Sequence, residues 1–292
     1  MVTNLLRSES NMLTLTLPRL HPAQKQIKTT AKRFNVVDCG RRFGKDVLGI
    51  DRAIETAVHG KPVGWFAPTY RMMADNWRTM TDLLNQIITR SSVTERRIDL
   101  ITGGSLDLWS LDAPDVARGR KYARVVINEA ALVRDLIYVW EHVLRPTLTD
   151  LEGDAFFLST PRGLNGFYTL YQRHDDDPAW ASFHRPSSDN PYLPRNEIEA
   201  MRLTLPERVF RQEMMAEFIE DGSYFQNIDA CAVVEQPDRP DQHSGHAIVM
   251  GVDWAKREDW TVLTVGCRDC ACIVDWQRFN QIDYHLQRGR LI

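Results

Sequence analysis

The chain has 292 residues, enough for one large α/β domain and a smaller unit. A net charge of −3 excludes a global basic field that would coat nucleic acid, and leaves room only for a local basic track. No apolar run reaches the roughly 20 residues of a membrane helix, and residues 1–11 lack the basic-then-apolar pattern of a signal peptide, so a cytoplasmic location away from membranes is expected.

Short apolar stretches alternate with amphipathic ones from about residue 20 to about 220. This alternation predicts a mostly parallel sheet with helices on both faces. Strands are expected at 34–38, 63–67, 125–127 and 155–159, and a hairpin at 98–101 and 105–110 around Gly103-Gly104. Helices are expected at 45–59, where Val47, Leu48, Ile50, Ile54 and Val58 form one apolar face, and from Tyr70 through Ile88. After Pro186 the pattern becomes helical (195–219, interrupted at Pro206). The polar run 236–245, with Pro237, Pro240 and Gly245, reads as a linker before a new strand at 247–252. The expected divisions are an extension (1–19), an α/β core (20–185), a helical lid (186–222), a linker (223–246) and the start of a second domain (247–292).

The segment Cys39-Gly40-Arg41-Arg42-Phe43-Gly44-Lys45-Asp46 joins the first strand to the first long helix of that core. A strand, a glycine turn, Gly-Lys and a helix make up a phosphate cradle. Backbone N–H groups line the turn, the helix N-terminus adds positive potential, and the lysine reaches the terminal phosphates. Two positions depart from the usual pattern: Cys39 stands for the first glycine and Asp46 for the hydroxyl residue after the lysine. A second signal is Val125-Val126-Ile127-Asn128-Glu129, a buried strand delivering two polar residues at its end, as in a Walker B site. Asn128 replaces the aspartate that normally helps hold Mg²⁺, while Glu129 has the position of the carboxylate that polarises the attacking water. The charge is expected to have moved rather than vanished: Asp46 and Asn128 together give Mg²⁺ one carboxylate and one neutral oxygen, as a hydroxyl and an aspartate do.

Gly40-Arg41-Arg42-Phe43-Gly44-Lys45 resembles the Walker A segment of the large terminase subunits of tailed bacteriophages. Further blocks agree in order: Leu20-His21-Pro22-Ala23-Gln24, Ala67-Pro68-Thr69-Tyr70, Ala117-Arg118-Gly119, Ser159-Thr160-Pro161-Arg162-Gly163 and Asn190-Pro191. The resemblance covers about residues 20 to 266. It implies a P-loop ATPase of the ASCE type, binding ATP and Mg²⁺. As a homo-oligomeric ring on the portal protein, with a small terminase subunit, it would drive double-stranded viral DNA into a procapsid in the host cytoplasm. It further implies that Gln24 contacts adenine, Lys45 holds phosphate, Glu129 positions the hydrolytic water, Arg118 is an arginine finger and Thr160 senses the γ-phosphate. Arg41 and Arg42 are either structural, or one of them contacts the γ-phosphate. A helicase-like DNA translocase and an inactive prophage remnant are the alternatives.

Gly251-Val252-Asp253-Trp254-Ala255, with Asp259 and the strand after it, resembles the opening of the family's RNase H-like nuclease. Asp253 and Asp259 would be ligands of a two-metal site for Mg²⁺ or Mn²⁺. The family's further carboxylates lie beyond this first hairpin, so no autonomous endonuclease activity is expected. Of five cysteines, Cys267, Cys270 and Cys272 cluster at that hairpin, with His243 or His246 within reach as a fourth ligand. No second CxxC accompanies them, and they are read as free thiols rather than a zinc site.

Overall fold

The computed structural model describes residues 3–8, 11–220, 243–255 and 259–289. The chain divides into two compact units, Met1–Gly222 and Ser223–Ile292. Most of the expected linker, and Cys231, lie outside the described residues.

The first unit opens with a hairpin, β1 (Thr3–Ser8) and β2 (Asn11–Thr16), where the sequence reading placed only a patternless extension. Its main sheet has eight strands: β3 (Phe34–Cys39), β4 (Pro62–Ala67), β5 (Ile88–Ser92), β6 (Arg97–Leu100), β7 (Ser105–Ser110), β8 (Arg124–Asn128), β9 (Asp154–Ser159) and β10 (Trp180–Arg185). The spatial order is β10-β3-β9-β8-β4-β7-β6-β5. Six strands from β10 to β7 are parallel, and β6 and β5 add an antiparallel edge. This is the mostly parallel α/β sheet that the alternation of patterns predicts.

Residues alternate between the two faces along each central strand. Val37, Val126, Phe156 and Leu158 point to one core, and Val36, Val125, Ile127 and Phe157 to the other. Burial on both faces explains why these strands read as unbroken apolar runs. α1 (Pro22–Thr30), α2 (Lys45–Val58) and α3 (Tyr70–Leu84) supply Ile27, Leu48, Ile54 and Met80 to the first core. A helical run from Leu136 to Thr147, π-helical over Val139–Leu144, and α4 (Gly166–Gln172) supply Trp140, Leu144 and Phe167 to the second. α5 (Arg195–Thr204) and α6 (Glu207–Glu213) follow, broken at Pro206 as expected, since proline cannot continue a helix.

Two expectations need correcting. The third helix ends at Leu84, not Ile88, because Ile88 begins β5, whose Thr89 to Ser91 are exposed on the sheet edge and carry no apolar signal. β10 was not foreseen: its sequence, Trp-Ala-Ser-Phe-His-Arg, is that of a polar edge strand, yet it pairs parallel to β3 along its whole length.

The second unit is a three-stranded antiparallel sheet of β11 (Ile248–Asp253), β12 (Thr261–Cys267) and β13 (Cys272–Phe279), followed by α7 (Tyr284–Arg288). Gln287 of α7 ties the sheet together, donating to Ala255 O and accepting from Thr261 Oγ1, both at 2.8 Å.

Candidate active site

The order of the parallel strands sets the site. β9 lies between β3, which leads into the Gly40–Gly44 turn, and β8, which ends just before Glu129. The carboxyl ends of all three therefore open onto one crevice, where α/β sheets bind ligands.

The turn after β3 is held open from several sides. Gly44 has φ of 98° and Arg42 of 65°, so the left-handed bends fall there and not on Cys39. Cys39 is fully buried and faces Ser159 O at 3.6 Å, with burial pushing its thiol pKa up; an inert side chain fits where the usual pattern has glycine. Gly40 cannot carry a side chain, because a Cβ would stand 2.4 Å from both Met214 O and Ser187 Oγ. Gly40 N donates to Arg185 O, Arg41 N to Glu213 O (2.7 Å), Ser187 Oγ to Arg41 O (2.6 Å) and Asn190 Nδ2 to Arg42 O (2.7 Å). Arg41 also pairs with the Glu213 carboxylate, which raises its pKa. Residues from the expected lid thus brace the loop directly.

Gln24 and His21 brace it from below. Buried Gln24 accepts from His21 N at 2.9 Å and donates to Gly44 O at 2.8 Å; His21 Nε2 lies 2.9 Å from Phe43 O. Gln24 therefore belongs to the loop's support, with one amide proton and one lone pair left for a ligand. His21 was not among the residues singled out from sequence. Its capping box with Gln24 was the available signal.

Lys45 and Asp46 open α2. Lys45 Nζ lies 3.0 Å from Glu129 Oε1. Burial pulls the Lys45 pKa down, but the carboxylates, chiefly Glu129, outweigh it and the net displacement is upward. The lysine is thus held as a cation in the crevice. Asp46 Oδ1 accepts from Asn128 Nδ2 at 2.8 Å, with the amide oriented by that bond. Asn128 Oδ1 is buried and has no hydrogen-bond partner among the described residues. An orphan amide oxygen and a carboxylate are donors that suit a hard divalent cation, and it is the Asn128 amide nitrogen that faces Asp46 here.

Glu129 itself has φ of 56°, a left-handed conformation unusual for glutamate. The turn behind it is tied to β9: Ala131 N donates to Ser159 Oγ (3.1 Å), and Ser159 Oγ donates to Thr160 O (2.9 Å). The Thr160 hydroxyl is buried without a partner among the described residues. At the foot of the loop, Asp38 Oδ2 lies 2.8 Å from His184 Nδ1 of β10. Burial raises the Asp38 pKa to about 6 despite the histidine, and the Asp38 hydrogen bond raises that of His184. No local pattern signals this pair, whose members are 146 residues apart.

Arg118 stands apart from this cluster. It is exposed, bonded to Asp115 Oδ1 (2.6 Å) and Tyr138 OH (3.1 Å). In the second unit Asp253 and Asp259 are both exposed, and Asp259 Oδ1 caps Trp260 N. Among the described residues no third His, Cys or carboxylate joins them in a metal-binding group.

Comparison with known proteins gives a consistent result. The chain is 31% identical over 248 residues to the large terminase subunit of Escherichia phage T5, covering 80% of this chain and 56% of the relative. It is 27% identical to the large terminase subunit of Thermus virus P23-45, over 90% of this chain and 63% of the relative. The chain thus spans a little over half the length of these relatives. The large terminase ATPase domain of Thermus phage P74-26 superposes with a TM-score of 0.60 at 25% identity, over 69% of this chain and 94% of that one. The large terminase of another thermophilic bacteriophage, solved in complex with ATP-gamma-S, has a TM-score of 0.57 at 13% identity, over 92% of this chain and 70% of that one. No protein-family model matches the chain.

Proposed function

We propose that this chain, a homologue of the phage large terminase subunits, hydrolyses ATP at the β3–α2 turn and couples that hydrolysis to the packaging of double-stranded viral DNA. The observation that carries the reading is the meeting of Lys45 with Glu129 (3.0 Å) and of Asp46 with Asn128 (2.8 Å) at the ends of neighbouring elements. One cation for phosphate, one carboxylate for water and one oxygen pair for a metal are the parts that phosphoryl transfer to water requires.

In this reading the loop N–H groups and Lys45 bind the triphosphate. Lys45 exchanges its contact with Glu129 for the phosphate, which frees the Glu129 carboxylate to accept a proton from the attacking water. The Asp46 carboxylate and Asn128 Oδ1 would hold Mg²⁺, which when bound neutralises charge on the phosphate oxygens. Gln24 reads the adenine edge with its remaining proton and lone pair. Thr160, whose hydroxyl has no partner, senses the γ-phosphate and passes its state to the Glu129 turn through Ser159. Arg41 stays with Glu213 as part of the loop brace.

Exposed Arg118 acts in trans, on the nucleotide of a neighbouring copy in a homo-oligomeric ring. The portal protein and the small terminase subunit are the partners of that ring, and the host cytoplasm is its location. Among the described residues no helix is long and apolar enough to cross a membrane. Nuclease chemistry is not assigned to Asp253 and Asp259.

Phosphate release from ATP with Mg²⁺, compared between the parent chain, Lys45→Ala and Glu129→Ala, tests the reading. Release by the parent, lost in both variants, supports it; no release by the parent alone or with DNA contradicts it. The second reading is a nucleotide-binding relative without turnover, favoured by the Asn128 amide holding the only carboxylate of the metal pair. Nucleotide binding without release would select it.

A further inference from the structure

Four side chains with no part in nucleotide chemistry meet at one end of the second unit's sheet. His243 and His246 precede β11, Cys267 ends β12, and Cys270 lies in the turn to β13. The register pairs Ile248 with Cys267 and Cys267 with Cys272, so the entry to β11 and the β12–β13 turn are brought together by the sheet itself. One ligand atom from each of the four lies within 4.8 Å of the other three.

The distances favour a shared ion over ordinary hydrogen bonds. His246 Nδ1 is 3.2 Å from Cys270 Sγ and 3.4 Å from Cys267 Sγ. One imidazole nitrogen has a single proton or a single lone pair, so a hydrogen bond satisfies only one of two sulfurs. A tetrahedral zinc with Zn–S of about 2.3 Å and Zn–N of about 2.0–2.1 Å has S···N edges of about 3.5 Å, and satisfies both.

Outer contacts hold the ligands in place. Cys270 N faces Cys267 Sγ at 3.4 Å, a donor for a thiolate. Ala247 N donates to Asp269 Oδ2 and Arg268 N to Ala247 O, both at 2.9 Å, clamping the cysteine turn to the histidine segment. His243 and Cys267 are buried, while His246 and Cys270 are exposed and leave a way in.

We infer that His243, His246, Cys267 and Cys270 bind one structural Zn²⁺ that clasps the corner of the β11–β12–β13 sheet. Two thiolates and two imidazoles within 4.8 Å of one another are a donor set that selects zinc among the common divalent metals. Such a sheet also needs a clasp: among its described residues the buried apolar side chains are only Leu263, Cys267, Val274 and Phe279. The two His-x-x-His and Cys-x-x-Cys pairs lie some twenty residues apart in sequence; the missing second CxxC is replaced by the histidine pair, which the sheet register brings in. Cys272 Sγ, 3.8 Å from His243 Nε2, lies outside the set.

The test is metal content and spectroscopy of the untagged full chain. Purified without chelator, it is expected to carry about one zinc per chain by mass spectrometry of the metal. That zinc is absent from Cys267→Ser/Cys270→Ser and retained by Cys272→Ser. Co²⁺ added to the chelator-stripped parent chain is expected to give the intense visible bands of a tetrahedral site, with the sulfur charge transfer of two thiolates. The cobalt titration needs no variant, so a misfolded cysteine variant leaves the inference testable. Octahedral or no cobalt binding, zinc retained in the double variant, or a three-thiolate band lost with Cys272→Ser would each overturn it. The readout is independent of ATP hydrolysis, whose failure would bear only on the first unit.

Discussion

Asn128 Nδ2 donates to Asp46 Oδ1 across 2.8 Å, linking the end of β8 to the first turn of α2. The carboxylate that a Walker site usually carries on the strand is here on the helix, beside Lys45. At a helix N-terminus a carboxylate is also favoured by the macrodipole. Asp46→Ala removes the one charge of the pair and leaves the Asn128 amide without an acceptor. Mg²⁺-dependent hydrolysis should fall at least about a hundredfold, as for loss of a principal electrostatic group in an active site. Nucleotide binding through Lys45 should persist, measurable with a fluorescent ATP analogue.

Glu129 pairs with Lys45 at 3.0 Å and is held in a left-handed turn. Glu129→Gln keeps the shape and removes the base, so kcat should drop by about 10²- to 10⁴-fold. Affinity for nucleotide should hold or tighten, because Lys45 no longer has a carboxylate to leave. Single-turnover kinetics beside equilibrium titration separates the two effects.

Gly40→Ala should cost about 1–3 kcal/mol, because the new Cβ meets the backbone oxygen of Met214 at 2.4 Å and the crowded Ser187. Cys39→Gly should cost stability through the lost buried side chain but leave turnover near the parent value, since the thiol faces Ser159 O and not the crevice. Thermal unfolding with and without nucleotide checks both.

The Asp38–His184 pair predicts a pH dependence. The folded Asp38 pKa of about 6 exceeds its ordinary value of 3.8, so the native chain binds this proton more tightly than the unfolded one. Its contribution to stability is therefore full below about pH 4 and is lost as pH rises to about 6. His184, also raised, works in the same direction: its contribution is present below the ordinary histidine pKa and fades as pH climbs through the raised one. Both contributions are present in the parent at low pH and absent from Asp38→Asn, so the variant should gain stability relative to the parent as pH rises from about 4 to 7. Urea unfolding across that range decides it; a variant that loses ground to the parent as pH rises would reverse the sign.

The strand–turn–helix around Gly40 to Lys45 was legible because its signal is local: strand, glycine, lysine and helix follow within about fifteen residues. Val125 to Glu129 was legible for the same reason, since a doubly buried strand has no polar residue until its end. Charge balance put Asp46 and Asn128 in one site from sequence, and the two side chains meet through the Asn128 N–H although the residues are 82 apart. What escaped depended on partners that sequence does not bring near. β5 and β10 are edge strands, one largely exposed and the other largely half-buried, so neither shows a clean alternation. Ser187 matters only because the chain returns to Gly40 after β10, and Glu213 because α6 ends there. From sequence, one of His243 and His246 was within reach of the cysteines; the antiparallel register brings both to Cys267 and Cys270.

The charge-swap cycle at positions 46 and 128 tests the central claim most directly: steady-state Mg²⁺-dependent phosphate release by the parent, Asp46→Ser, Asn128→Asp and the double variant. Asp46→Ser leaves the metal with no carboxylate, and Asn128→Asp sets two carboxylates against each other, so both singles should fall by more than about tenfold. The double variant restores one hydroxyl and one carboxylate and should return to within about tenfold of the parent, a strongly non-additive result. Parental turnover in Asp46→Ser, or a double variant no better than the worse single, would contradict the account.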